Sequence, residues 1–282
     1  MNILVPVDFT GSAFNAYQYA NKLAYQFGGK LTLLHVFEGT FDVADALEEE
    51  GLGKYEQLKE KLESFSHHHP NENSSQLSPL DTTCEIAQGN VVKEVSRFSS
   101  ESGIDLIVAG TRDKHTIEDK WLGTISQGIA QEAFCPVLLV PSASAFGGFK
   151  RIVIATDYHA SNFFVLDSIQ SFNKPFGASL HFVHVQDDQD KDFEYLKREI
   201  FDYLMSYGEP SHAFEIEELT GDNVAESIFD YAQKENADLL IMISQRRAFL
   251  QKLIHRSMTR EVVLQSPIPV LVIHADDKKM TK

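Results

Sequence analysis

Short apolar runs alternate along this chain with longer stretches in which apolar residues recur every three or four positions. Residues 3–7 (ILVPV) form such a run and end at Asp8, the pattern of a strand buried on both faces. From Thr10, a candidate N-cap, Ala13, Ala16, Tyr17, Ala20, Leu23, Ala24 and Phe27 fall at helical spacing, and Gly28 and Gly29 stop that helix. Residues 31–36 read as the next strand. A polar helix over 43–65, a strand at 82–87, a helix at 90–102 and a strand at 106–109 follow. A loop over 110–123, a helix at 124–134 and a strand at 137–140 complete the series. Strands alternating with helices predict an α/β fold: a doubly wound parallel sheet with right-handed crossovers and helices on both faces.

The series occurs twice. A shift of 149 positions lays residues 2–36 on 151–185 without a gap and matches Ile3 with Ile152, Asp8 with Asp157, Gly28 with Gly177 and His35 with His184. A shift of 133 lays residues 90–140 on 223–273, matching Asn90 with Asn223, Asp105 with Asp238 and Pro136 with Pro269. Two ungapped registers separated by one length change mark a tandem duplication, the first copy being 16 residues longer in its middle. The units are expected at 1–143 and 147–282, and both run βαβαβαβαβ. Residues 141–149 (PSASAFGGF) read as a short linker rich in small residues.

Composition narrows the class. With 43% hydrophobic and 23% charged residues the chain is ordinary globular protein, and 282 residues bury a core without disulfide or metal. No apolar stretch approaches the ~20 residues of a membrane span. Against 25 basic residues stand 41 acidic ones, a net charge of −16 spread over both halves, which opposes binding to nucleic acid or an anionic membrane. Cys84 and Cys135 make no framework and fit a reducing compartment. The opening MNILVPVDF lacks the basic region of a signal peptide. A cytoplasmic protein is expected.

In an open doubly wound sheet, ligands sit beyond the carboxyl ends of the strands near the switch point. Asp8 lies there. So does the loop that runs from Gly110 through Asp113 to Gly123 and Thr124 at the start of a helix. Glycines let backbone N–H groups approach phosphate oxygens, a helix N-terminus adds positive potential, and Thr124 offers a hydroxyl.

These segments carry a resemblance. ILVPVDF at 3–9, LTLLHV at 31–36, DLIVAGTR at 105–112, GTIS at 123–126 and CPVLLVP at 135–141 resemble the universal stress protein family. RIVIATD at 151–157, LHFVHV at 180–185, DLLIMIS at 238–244, RSMT at 256–259 and IPVLVI at 268–273 repeat the resemblance, so two UspA-like domains cover essentially the whole chain. It implies a stress-response regulatory or binding module, not an enzyme of defined turnover. ATP-binding members carry G-x2-G-x9-G-(S/T), which implies adenine and ribose near Pro6, Asp8 and Val36, and phosphates, with a divalent metal, near Gly110, Gly123 and Thr124. Family members commonly dimerise through the final strand. Here the last strands, 137–140 and 271–273, are expected to pair within one chain as a pseudo-dimer, hiding two sheet edges; association into a homo-oligomer is a further expectation. Each unit is expected to have five strands in order 3-2-1-4-5, with a pseudo-two-fold axis between units and no single continuous mixed sheet.

The nucleotide pattern is incomplete. Asp113 stands at the second glycine position, and a carboxylate about 4 Å from a phosphate costs roughly 1–4 kcal/mol, or one to three decades of affinity, unless a divalent metal bridges them. In the second unit Ile243, Arg246 and Arg256 occupy the glycine positions, with Ser257 keeping the hydroxyl. Arg246, Arg247, Lys252, Arg256 and Arg260 make a basic cluster that reads either as a solvated face or as a side-chain grip on an anion. Asp8 and Asp157 are ligand contacts or strand-end turn formers. His35 and His184 read as hydrogen-bonded core histidines, and Cys135 as a small buried hydrophobe. His67, His68 and His69, inside the first unit's 16-residue excess, read as a flexible loop, with a metal tract as the alternative, and Trp121 packs or covers the loop after the fourth strand. Three functions follow in order: a nucleotide-binding module using the first unit only, a nucleotide-free interaction protein, and a weak ATP hydrolase, last because no base stands near the loop.

Overall fold

The computed structural model describes residues 1–38, 49–67, 82–111, 124–156, 163–186, 193–206, 211–244 and 266–274. Strand β1 (Asn2–Pro6) is central because Ile3, Leu4 and Val5 are wholly buried, one set of side chains on each face. β2 (Lys30–Phe37) and β3 (Thr82–Gln88) lie in succession on one side of it, and β4 (Leu106–Thr111) and β5 (Val137–Pro141) on the other, all parallel. The second unit repeats this with β6 (Arg151–Ala155), β7 (Ser179–Val185), β8 (Phe214–Leu219), β9 (Leu239–Ser244) and β10 (Val270–His274). Each unit has the order 3-2-1-4-5.

β5 pairs antiparallel with β10, Leu138 opposite Leu271. The whole order is therefore β3-β2-β1-β4-β5-β10-β9-β6-β7-β8, which reads the same from both ends, as a two-fold axis through the seam requires. The expectation of two separate sheets is corrected by this result. Pairing the two last strands necessarily fuses both sheets into one ten-stranded mixed sheet, so the two sequence expectations were incompatible.

Seven helices connect the strands among the described residues: α1 (Gly11–Phe27), α2 (Glu49–His67), α3 (Val91–Glu101), α4 (Thr124–Glu132), α5 (Phe163–Asn173), α6 (Phe193–Met205) and α7 (Val224–Lys234). The last helix expected in the second unit falls outside the described residues. Residues matched between the repeats do matched work. Asn90 and Asn223 accept amides from the first turns of α3 and α7. Gly28 and Gly177 both hold φ near 60° just past α1 and α5. Asp105 accepts the Asn2 amide at 2.7 Å, and Asp238 accepts those of Lys150 and Arg151 at 2.7 and 2.9 Å. Each aspartate thus ties the start of a unit's fourth strand to the start of its first.

One core lies under α1, α2, α5 and α6 and a second under α3, α4 and α7, and both run across the seam. Residues 141–149 are more than a spacer. Phe146 packs on Tyr19 (centroids 4.9 Å apart), and Phe149 on Phe176 and Phe172 (4.8 and 5.7 Å). Phe27 also meets Phe172 at 5.7 Å. The connection is thus pinned between α1 and α5, and Asn15 Nδ2 donates to the Pro141 and Ser144 carbonyls at 2.9 Å. On the opposite face His274 Nε2 donates to the Ala130 carbonyl at 2.7 Å, joining β10 to α4.

Phe149 is 4% exposed and touches both units. Phe149→Ala is expected to cost about 3–5 kcal/mol of stability. Urea unfolding measures the loss, and hydrogen exchange should show reduced protection in both halves.

Candidate functional site

Because β1, β2 and β4 are parallel and adjacent, their carboxyl ends share one rim. Pro6 ends β1 half-buried, Val36 lies near the end of β2 with 9% exposure, and Gly110 stands next to last in β4, half-buried. Asp8 follows β1 and is exposed. Thr124 opens α4, and Ser126, two residues on, donates its hydroxyl to the Gly110 carbonyl at 2.8 Å, bringing the helix start to the end of β4. Pro6, Asp8, Val36, Gly110 and the first turn of α4 therefore gather at one end of the sheet. Asp113, Gly123 and Trp121 lie outside the described residues, as do Asp157, the Arg246–Arg260 cluster and Ser257.

The Asp8 carboxylate is turned toward its own chain. Oδ1 accepts the Thr10 amide at 3.0 Å and the Thr10 hydroxyl at 2.5 Å, a local turn that leads into α1. The Thr10 hydroxyl in turn caps the helix by accepting from the Ala13 amide at 3.3 Å. Between Asp8 and Thr10, Phe9 adopts φ 62°, a left-handed backbone that a bulky residue seldom takes. Its ring is held by His35 (centroids 4.6 Å apart) and Phe65 (5.9 Å), with Lys61 Nζ 4.0 Å from the ring centroid. Phe9, Lys61 and Ser12 escape a sequence reading, since none of these residue types signals a left-handed turn or a close backbone approach.

The two repeat histidines have the same partner. His35 Nδ1 donates to the Val7 carbonyl at 2.7 Å, and His184 Nδ1 to that of Thr156 at 3.0 Å. A carbonyl only accepts, so the bond fixes the proton on Nδ1 and makes each ring an internal fastener of strand ends.

Gly110 has a structural reason of its own. A Cβ there would lie 2.3 Å from the Ser12 carbonyl oxygen and 2.7 Å from its carbon, because the N-terminus of α1 presses on β4. The repeat position holds Ile243, buried in the core. His67 ends α2 and is exposed, while His68 and His69 lie outside the described residues. No group of three or more His, Cys, Asp or Glu suited to a metal occurs among the described residues. Cys135 is buried, and burial, with the Glu63 carboxylate next in importance, pushes the Cys84 thiol up.

Gly110→Ala is expected to destabilise the protein by about 1–3 kcal/mol, since backbone must move. In Gly128→Ala the added methyl meets Val92 Cγ2 at 2.8 Å and Cγ1 at 3.3 Å, a crowding by a stiff β-branched side chain that offsets a helix-propensity gain of up to about 1 kcal/mol, so thermal unfolding should shift little. A raised thiol pKa leaves less thiolate at neutral pH. Cys84 should therefore react with iodoacetamide more slowly than free cysteine at pH 7, its rate still rising above the pH where free cysteine levels off.

Comparison with known proteins gives a consistent result. The family model described as "Universal stress protein family" matches residues 1–141 and again 148–274. A universal stress protein of Methanocaldococcus jannaschii is 24% identical over 149 residues, 49% of this chain and 80% of that protein. A putative universal stress protein of Staphylococcus haemolyticus is 27% identical over 166 residues, 56% of this chain and 94% of that protein. The crystal structure of a universal stress protein from Archaeoglobus fulgidus shares the fold over 97% of this chain and 98% of that one, at 19% identity and TM-score 0.72. Matched twice along nearly its whole length, the chain belongs to the universal stress protein family.

Proposed function

We propose that the protein is a cytoplasmic stress-response regulatory module, not an enzyme, that binds ATP with a divalent metal in its first unit only. The units are taken as 1–143 and 147–282, with the β5–β10 seam standing where separate family chains would dimerise. The described half of the first-unit site suits the base and ribose of a nucleotide. Pro6 and Val36 supply apolar surface at the strand ends, and Asp8 is an exposed carboxylate able to exchange its bonds to Thr10 for ribose hydroxyls. Gly110, Gly123 and Thr124 would meet the phosphates, whose charge the metal would offset against Asp113.

The observation that carries the asymmetry is the pair Gly110 and Ile243. The first unit leaves the end of its fourth strand free of a side chain, whereas the second fills that position with a buried isoleucine. A second reading, a nucleotide-free interaction protein, has its own support. Contact with Ser12 already accounts for Gly110, and Thr10 already occupies Asp8 Oδ1.

Protein purified without added nucleotide is expected to release adenine nucleotide on denaturation, and its absence would favour the second reading. Calorimetry should place ATP binding in the first unit and lose it with Asp8→Ala. Asp113→Asn should tighten ATP by about one to three decades, less at high salt, if repulsion acts at about 4 Å. If Asp113 instead holds the metal against the phosphates, the same variant weakens metal-bound ATP.

A further inference from the structure

Among the described residues the sheet ends on two edge strands, β3 and β8, and Phe214 and Ile216 of β8 pack against the same core as Cys84 and Ile86 of β3. α2 packs directly on β3, with Phe65, Cys84 and Ile86 gathered against one core. α6 packs against α5 and buries Leu196, Ile200 and Leu204. Between α6 and β8 it leaves a cavity of about 260 Å³ lined by Glu194, Lys197, Arg198, Phe201, Phe214 and Ile216. Phe201 reaches it 47% exposed, its ring 6.1 Å from that of Phe214.

Beside the groove runs the edge of the described sheet. Among the described residues β8 pairs only with β7. Leu180 N donates to the Ala213 carbonyl and Gln186 N to that of Leu219, so the odd-numbered residues of β8 bond inward. In a parallel ladder the alternate residues then direct their N–H and C=O groups the other way, and here these are Phe214, Ile216 and Glu218. Side chains alternate too. Phe214 and Ile216 face the groove, while Glu215 and Glu217 stand exposed on the opposite face. Glu215 Oε2 lies 3.5 Å from His181 Nδ1 yet stays 55% exposed.

We propose that β8 and its groove receive an extended segment of a partner protein that alternates aliphatic and basic residues and adds to the sheet as a further strand. Its aliphatic side chains would enter beside Phe201, Phe214 and Ile216, and its basic ones would stand across from Glu215 and Glu217. Lys197 and Arg198 outnumber Glu194 in the cavity lining and repel lysine there, although Glu218 stands on the same face further along β8. That repulsion fixes which face of the segment is basic and hence its register. A second copy of this chain fits badly, because pairing β8 with β8 sets Glu215, Glu217 and Glu218 against themselves on a protein of charge −16. Edge carboxylates alone guard against aggregation, but such a guard has no need of an apolar groove with an exposed phenylalanine.

The test uses the full chain and a fluorescein-labelled peptide of alternating valine and lysine, read by fluorescence anisotropy. Saturable binding is expected, and a valine–glutamate peptide should not compete. Glu217→Lys should weaken binding roughly three- to tenfold through reversal of one cross-strand pair. Glu218→Pro removes an outward N–H without touching the β7 ladder and should weaken it by about tenfold or more, whereas Glu218→Gln stays within about threefold. Phe201→Ala, on an already exposed helix face, provides a variant that does not threaten the fold, and it too should lose affinity. Saturation absent up to about 1 mM peptide would overturn the proposal, as would binding unchanged in both Glu218→Pro and Phe201→Ala. Dimerisation of the parent protein that disappears in Glu218→Pro would overturn it in favour of a second copy.

Discussion

The antiparallel pairing of β5 with β10 is the contact on which the molecule's organisation depends. Each unit alone would end in a buried strand, Val137–Pro141 or Val270–His274, apolar but for His274, with unpaired backbone groups along one side. Joining them satisfies both edges at once. It also merges two sheets, so that both cores continue across the seam. Once the strands are paired, α1 and α5 come side by side, and the aromatic residues between them become interior. Phe146 and Phe149 then add edge-to-face contacts of the kind worth about 0.5–1.5 kcal/mol each beyond area burial.

Most of the fold is legible in the sequence because two independent periodicities agree. The alternation of strand and helix gives the class, and the two ungapped repeat registers give the number of units. Asp105 and Asp238, or Asn90 and Asn223, match because each pair solves one local backbone problem twice. The segment 141–149 reads only as a linker because six small residues outweigh two phenylalanines in any composition measure, though the phenylalanines decide its position. Fusion of the sheets is not readable strand by strand, since it is a property of the pair.

The site is legible only in part, and for different reasons at each residue. Asp8 and Gly110 are found from their place after strands. What they do is not, because the bond from Thr10 to Asp8 and the pressure of Ser12 on Gly110 depend on how α1 is set down. Phe9 gives no warning of its left-handed backbone, since phenylalanine does not favour that region and the Asp8–Thr10 turn, with His35, Phe65 and Lys61 about the ring, holds it there. Ile243 is the exception: one substitution read from sequence already distinguishes the units, and burial gives the reason.

An antiparallel seam reverses direction. The strands of the first unit point one way across the sheet and those of the second the opposite way, so the rim bearing Asp8 and Gly110 and the rim bearing Ile243 are on opposite sides of the molecule. A small molecule bound at one rim faces away from the other. The two rims are therefore separate surfaces built on a shared core, and residues on one can diverge without facing those of its counterpart.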